Sequence, residues 1–183
     1  AESMLVALSA VAAKLSEAGA EVQTVVLPDL AVQAYHHHLT IIAAEVADVH
    51  RELFAKYGPG YTPKLKQIIE RGRQITGLQL EAAQAHCEQT KIAFDGLFDR
   101  HDLLLCPAAS GPAPRGLEST GDPRMNLLGT YTGLPALTLP ASLADGRLPL
   151  GIQLVGPKGG DHSLLAAGVV VEQVIAFEDR PSE

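Results

Sequence analysis

The chain has 183 residues, a formal net charge of -7 at pH 7, 46% apolar residues and 4% aromatics with no tryptophan. A chain of this length forms one domain by default and can bury about 70% of the surface its unfolded form exposes. The negative charge argues against a nucleic-acid partner, which needs clustered Lys and Arg. The densest basic groups are only Lys64-Leu-Lys66 and Arg71-Gly-Arg73. No apolar stretch approaches the roughly 20 residues of a membrane span. The N-terminal Ala1-Glu-Ser-Met-Leu5 lacks the charged region and cleavage site of a signal peptide. Cys87 and Cys106 have neither disulfide nor metal-ligand spacing, and they read as small buried apolar residues of a protein in the reducing cytoplasm.

Residues 3–18 carry Leu5, Leu8, Ala12 and Leu15 at helical spacing, with Gly19 as the stop. The Val- and Thr-rich 21–27 reads as a strand closed by Pro28. From 34 to 57 the residues Tyr35, Leu39, Ile42, Val46, Val49 and Leu53 predict one amphipathic helix with an acidic stripe of Glu45, Asp48 and Glu52, broken by Gly58-Pro-Gly60. A shorter helix is expected over 65–74. Thr76-Gly-Leu-Gln79 resembles a capping box that starts another, running to about residue 98 with Leu80, Ala83, Cys87, Thr90, Phe94 and Leu97 inward.

After Asp102 the chain changes to short apolar runs divided by Pro and Gly, which suits strands buried on both faces of a partly parallel sheet. Asp122-Pro123 is a helix entry for 124–131, with Asp as cap and Pro in the first helical position. The runs 133–140 and 148–155 read as neighbouring core strands joined by a polar loop at 144–147. Asp161 caps a last helix with Leu164, Gly168, Val171 and Ile175 on its inner face. Residues 1–183 are thus expected to form a single domain or a piece of one, with a helical block at about 30–100 and a strand-rich core at about 102–157.

Chemistry concentrates at Ser119-Thr-Gly-Asp-Pro-Arg-Met-Asn126, where hydroxyl, carboxylate and amide groups precede a helix N-terminus whose free N–H groups favour acceptors. The segment reads either as an ordinary capped turn or as a wall that orients a polar ligand. Gln153 is a lone amide in an apolar run; it either ties down a nearby loop, the preferred reading, or faces a polar cavity. His36-His-His38 does not form a metal site, because successive helical side chains diverge by about 100°. Gly156-Pro-Lys-Gly-Gly-Asp161 lacks the Gly-Lys-Ser/Thr ending of a phosphate loop. None of the eight serines lies in a Gly-x-Ser-x-Gly elbow or a Ser-x-x-Lys arrangement. Ser110 and Ser119 are the least unsuited to act as a nucleophile, and neither has a neighbouring base.

The succession of Gly19-Ala-Glu-Val22, Leu27-Pro28, Glu45, Asp102-Leu-Leu-Leu-Cys-Pro107, Gly133-Leu-Pro-Ala-Leu-Thr-Leu-Pro140 and Leu148-Pro-Leu-Gly-Ile-Gln-Leu-Val-Gly-Pro157 resembles the C-terminal half of amidase-signature hydrolases. The resemblance implies an α/β fold, a mixed β-sheet covered by α-helices, and hydrolysis of a carboxamide through an acyl-enzyme without metal or organic cofactor. It also implies that Thr120, Gly121, Asp122 and Asn126 line the substrate pocket. No position matches the family's serine–serine–lysine triad. The isolated chain is therefore expected to be inactive, with a small-molecule amide and an N-terminal amidase half as its partners. Self-association through an exposed sheet edge or apolar face is also expected. A non-catalytic binding or regulatory module is the alternative.

Overall fold

The computed structural model describes residues 1–145 and 147–179. In chain order the elements are α1 (Glu2–Glu17), α2 (Leu30–Val49), α3 (Arg51–Tyr57), α4 (Pro63–Arg73) and α5 (Gly77–Asp95). They continue with β1 (Leu104–Pro107), α6 (Arg124–Thr132), β2 (Ala136–Ala144), β3 (Leu148–Val155) and α7 (Asp161–Ile175). Two compact units divide the chain: Ala1–Leu27 together with Phe94–Glu183, and the helical Pro28–Ala93 between them.

In the first unit the sheet order is β1-β3-β2 and both pairs are antiparallel. The parallel component expected after Asp102 does not occur among these strands. The link from β2 to β3 spans only 145–147, and a connection so short returns the chain alongside itself. Ala141 is an extra residue between the pairs Pro140–Gly151 and Ser142–Leu150. That bulge lets an edge strand hold a proline, which has no N–H to donate. On the central strand, Pro149 pairs with Leu143 outside the stretch 152–155 that β1 reaches, so it interrupts no ladder on that side.

Alternation along β3 sends Ile152 and Leu154, 0% and 2% exposed, to one face. They pack there with Val11 of α1, Leu139 of β2, and Leu164, Val171 and Ile175 of α7. The inner face expected for α7 is the observed one, with Gly168 buried as well. A Cβ on Gly168 would meet Leu137 Cδ2 at 2.2 Å, so the glycine makes room for the Leu137 side chain between β2 and α7. Gly160 rather than Asp161 is the cap of α7, and Asp161 opens its first turn, where a carboxylate still favours the helix dipole.

Helix α1 ends as Gly19 suggested. The Gly19 and Ala20 amides donate to Ser16 O and Leu15 O, each at 3.0 Å, and Gly19 takes φ +98°. Its buried line, however, is Met4, Ala7 and Val11, while Leu5 is 62% exposed. Leu8 and Leu15 of the expected line are partly buried against the same core, and of its four residues only Leu5 is exposed. Residues 21–27 form no strand. Val and Thr favour a pleated surface only when a neighbour supplies the ladder, and none of the three strands does so.

In the helical unit, the helix expected over 34–57 is interrupted at His50, which adopts φ -90° and ψ 7°. The His50 ring sits 2.9 Å from the Tyr61 hydroxyl through Nδ1. The buried line of α2 is Ala34, Ala43 and Ala47, whereas Val49 and Leu53 of the expected stripe stay 73% and 49% exposed. The cause is Gly72 of α4: a Cβ there would stand 1.8 Å from Ala43 O and 2.7 Å from the Ala47 methyl. Helix backbones this close exclude every larger side chain from the seam. Thr62 caps α4 by accepting the Leu65 amide at 3.4 Å, with Pro63 in the first turn. The expected capping box of α5 is present. Thr76 N donates to Gln79 Oε1 at 2.9 Å, and Gln79 N donates to Thr76 Oγ1 at 3.3 Å. The helix stops at Asp95, and a 3-10 turn, Gly96–Asp99, finishes the segment.

Replacing Gly72 by Ala is expected to lower stability by about 1–3 kcal/mol or more, since the clash is with backbone that cannot rotate away. Gly77→Ala, with open space around it, is expected to be neutral or slightly stabilising. Urea unfolding of the two variants measures the contrast.

Candidate functional site

The second face of the sheet carries one polar row among apolar residues. Cys106 of β1 and Thr138 of β2 both stand opposite Gln153 of β3, so the three form one row across the sheet. Gln153 is only 5% exposed. Its amide is satisfied at both ends: Cys106 Sγ donates to Oε1 at 3.7 Å, and Nε2 donates to Asn126 Oδ1 at 2.8 Å. The bonds share one direction, from thiol to glutamine to asparagine. Asn126 is thereby fixed with its oxygen toward the sheet, and its Nδ2 hydrogens remain available among the described residues. The alternatives posed for Gln153 resolve as a tether onto α6, whose Gly129 would carry a Cβ 3.6 Å from that of Ala136.

Of the residues expected to line a pocket, Asn126 joins this row. Gly121 and Asp122 form the turn that leads into α6, and Thr120 precedes them on the surface. Gly121 takes φ +96°, and its amide donates to Ser119 Oγ at 3.2 Å. That backbone conformation carries almost no penalty only in glycine. Asp122 Oδ1 accepts the Arg124 amide at 3.0 Å, and Oδ2 accepts Arg124 Nε at 2.7 Å. These bonds from Arg124 hold the carboxyl below its usual range. Pro123 is the formal cap of α6, one residue later than expected, with the Asp122 side chain still satisfying a first-turn amide. Thr120 makes no hydrogen bond among the described residues. The four residues lie on the surface at the entry to α6, with Thr120, Gly121 and Asn126 exposed, and only Asn126 bonds to the sheet.

Cys106 was missed as a functional residue, because taken by itself it reads as an apolar filler. The signal was positional: in antiparallel strands the residue opposite a buried amide is the first candidate to satisfy it. Burial pushes the Cys106 thiol up to about 11. At neutral pH the sulfur keeps its proton, as its role as donor requires, and is a poor nucleophile. Ser119 Oγ is taken by the Gly121 amide.

A separate group lies wholly within the helical unit. His36, exposed, and His37 and His38, half-buried, fall in the second and third turns of α2. The rings of His37 and His86 stack at 4.1 Å with 22° between their planes. Burial lowers the pKa of both, and each neighbouring imidazole adds to the effect, His36 for His37 and His37 for His86. Thr90 Oγ1 donates to His86 O at 2.7 Å. The spacing Ala83, His86, Thr90 marked this second buried line of α5, which the stripe through Cys87 overlooked. No group of three or more His, Cys, Asp or Glu among the described residues is arranged to hold a metal ion.

Two outcomes test the polar row. Asn126→Ala leaves Gln153 Nε2 without its acceptor and is expected to cost about 1–3 kcal/mol, whereas Asn126→Asp keeps an acceptor there and costs less; chemical denaturation measures both. Alkylation of Cys106 by iodoacetamide, followed by peptide mass spectrometry, is expected to accelerate roughly tenfold per pH unit from pH 7 to about 10, as the thiolate fraction grows. A plateau near pH 9 would contradict the raised thiol.

Comparison with known proteins places this wall in context. A family model described as Amidase matches residues 1–165. A glutamyl-tRNA(Gln) amidotransferase subunit from Agathobacter rectalis is 30% identical over 142 residues, covering 70% of this chain and 28% of that protein. The corresponding subunit from Picosynechococcus sp. is 28% identical over 198 residues, covering 92% of this chain and 41% of that protein. Among solved structures, an amidase superposes with a TM-score of 0.82 at 27% identity, over 91% of this chain and 41% of its own. A bacterial aryl acylamidase of the amidase-signature enzymes shares the fold at a TM-score of 0.78 and 24% identity, over 94% of this chain and 40% of its own. The chain thus spans about two-fifths or less of the length of these relatives, and it belongs to the amidase-signature family.

Proposed function

We propose that these residues form the acyl-pocket side of a carboxamide hydrolase whose serine–serine–lysine triad lies on residues outside this sequence. The observation that carries the reading is the one-directional row Cys106, Gln153, Asn126, which ends in a fixed amide donor beside the turn 120–122. In amide hydrolysis a serine oxygen adds to the carbonyl carbon, the C–N bond breaks as the amine leaves with a proton, and water then releases the acid from the acyl-enzyme. The side chains here hold the acyl portion during those steps. Asn126 Nδ2 and the Thr120 hydroxyl donate to a polar acyl group, and the Gly121 backbone lets it approach without a Cβ in the way. Asp122, bound to Arg124, keeps the turn in shape. None of these groups replaces the nucleophile, because Cys106 stays protonated and no serine has the elbow or lysine spacing.

The partners are a small-molecule amide and an N-terminal amidase half. Among the described residues the outer sides of β1 and β2 pair with no strand. Those free edges favour association, with that half or with a second copy. Cys87 and Cys106 form no disulfide among the described residues, which suits a reducing cytoplasm. No helix of the described residues is long and apolar enough to cross a membrane.

The test is a release assay with a set of small carboxamides. The chain alone is expected to give no hydrolysis, and mixing it with an amidase N-terminal half that carries the Gly/Ser-rich segment and the lysine is expected to restore it. In that mixture Asn126→Ala should lower kcat/KM by about tenfold or more, the worth of one buried hydrogen bond to the acyl group. Hydrolysis by the chain alone that disappears in Ser119→Ala or Ser110→Ala would overturn the proposal. Amide binding without hydrolysis in any mixture would favour the non-catalytic module.

A further inference from the structure

The helical unit holds a cavity of about 400 Å³ between α2, α4 and the start of α5, apart from the polar row of the sheet. Its polar lining is His36, His37, Thr40, Arg71, Gln74 and Gln79, and no carboxylate lines it. Two polar groups of this lining are already engaged. Gln79 Oε1 receives both the amide and the hydroxyl of Thr76, at 2.9 and 3.1 Å, which leaves its Nε2 hydrogens as the free end. Thr40 spends its hydrogen on His36 O at 3.2 Å. The Arg71 guanidinium forms no ion pair or hydrogen bond among the described residues, so its five donors are uncommitted. Ile75 and Ala82 supply a small apolar portion of the wall.

A lining rich in free donors, with one permanent positive charge and no negative one, selects an acceptor ligand. The cavity is half-open to solvent, and its volume suits a small molecule. We propose that this cavity binds a small organic oxyanion, a carboxylate or a phosphate monoester with a short apolar group, held by Arg71 and the His36 and His37 rings. The guanidinium takes two oxygens of the ligand, the imidazoles and Gln79 Nε2 complete its coordination, and the apolar group rests on Ile75 and Ala82. Support for the histidine part comes from the stack behind it: the His37 ring is held against His86 at 4.1 Å, and burial, with His36 beside it, favours the neutral ring, which meets the ligand as a pre-oriented N–H donor.

Titration of the full chain with butyrate and with methyl phosphate, followed by the imidazole NMR signals, tests the site and separates the two sources of oxyanion. A saturable shift of the His36 and His37 signals by either salt is expected, and the tighter of the two identifies the headgroup. Arg71→Gln should weaken binding at least about tenfold, the loss of one charge-assisted contact, while Arg71→Lys should keep part of it. Both replacements are on the surface, and an unchanged far-UV spectrum confirms the fold. Asn126→Ala should leave the titration unaltered, so this outcome is independent of the amide pocket. The proposal is overturned if no oxyanion gives a saturable shift, if Arg71→Gln binds as well as the native chain, or if 1-butanol binds as tightly as butyrate.

Discussion

A primary amide buried on the central strand is the constraint around which the sheet unit is arranged. Gln153 has two donors and an acceptor to satisfy where water is scarce, and an unpaired group there costs about 1–3 kcal/mol. Its partners come from different parts of the chain, β1 on one side and α6 on the other. The requirement therefore fixes the helix against the polar face, and with it the turn 119–122 that precedes the helix. On the opposite face Ile152 and Leu154 anchor α1 and α7 by burial alone. One strand thus carries a specific, directional bond on one side and a non-directional apolar contact on the other.

The helical unit solves a different problem with a different device. With few aromatics in the sequence, tight packing there comes from bringing backbones together rather than from filling space with large side chains. Gly72 against Ala43 and Ala47 achieves that, and it displaces Tyr35, Val49 and Leu53 to positions that are 39%, 73% and 49% exposed. Tyr35 and Val49 lie near opposite ends of α2, so their exposure is of the scattered kind that is usual on a protein surface.

What could be read in advance follows from whether the determining interaction is local. The capping box of Thr76 and Gln79, the Gly19 stop and the inner face of α7 each depend on residues a few positions apart, and each appears as expected. The line chosen for α1 reaches the core through Leu8 and Leu15 but misses its most buried residues, and that for α2 is displaced, because a periodic pattern gives more weight to large apolar residues and cannot show which glycine on another helix stands opposite. The strand expected at 21–27 failed for the same reason, since strand propensity has no effect without a partner. At the polar wall, Gln153 and Asn126 were each legible, one as an amide out of place and the other as part of a helix entry. Their bond spans 27 positions and passes through a register that only pairing reveals. The arginine and histidine cavity was not legible at all, because its lining is drawn from three helices and no short motif contains it.

The helical unit interrupts the sheet unit: the chain lays down α1, departs at Pro28 and returns near Phe94 to build the strands that α1 packs against. Val11 thus waits more than a hundred residues for Leu139, Ile152 and Val171. Loop-closure entropy grows only logarithmically, about 0.6 kcal/mol for each doubling of the loop, so the detour costs little at equilibrium. Its consequence is temporal. Contacts of long sequence separation form late, and Met4 and Ala7 lack their partners Ala144 and Leu150 until β2 and β3 have formed. During that interval the chain has its greatest need of a chaperone or a covering partner, whatever its stability once assembled.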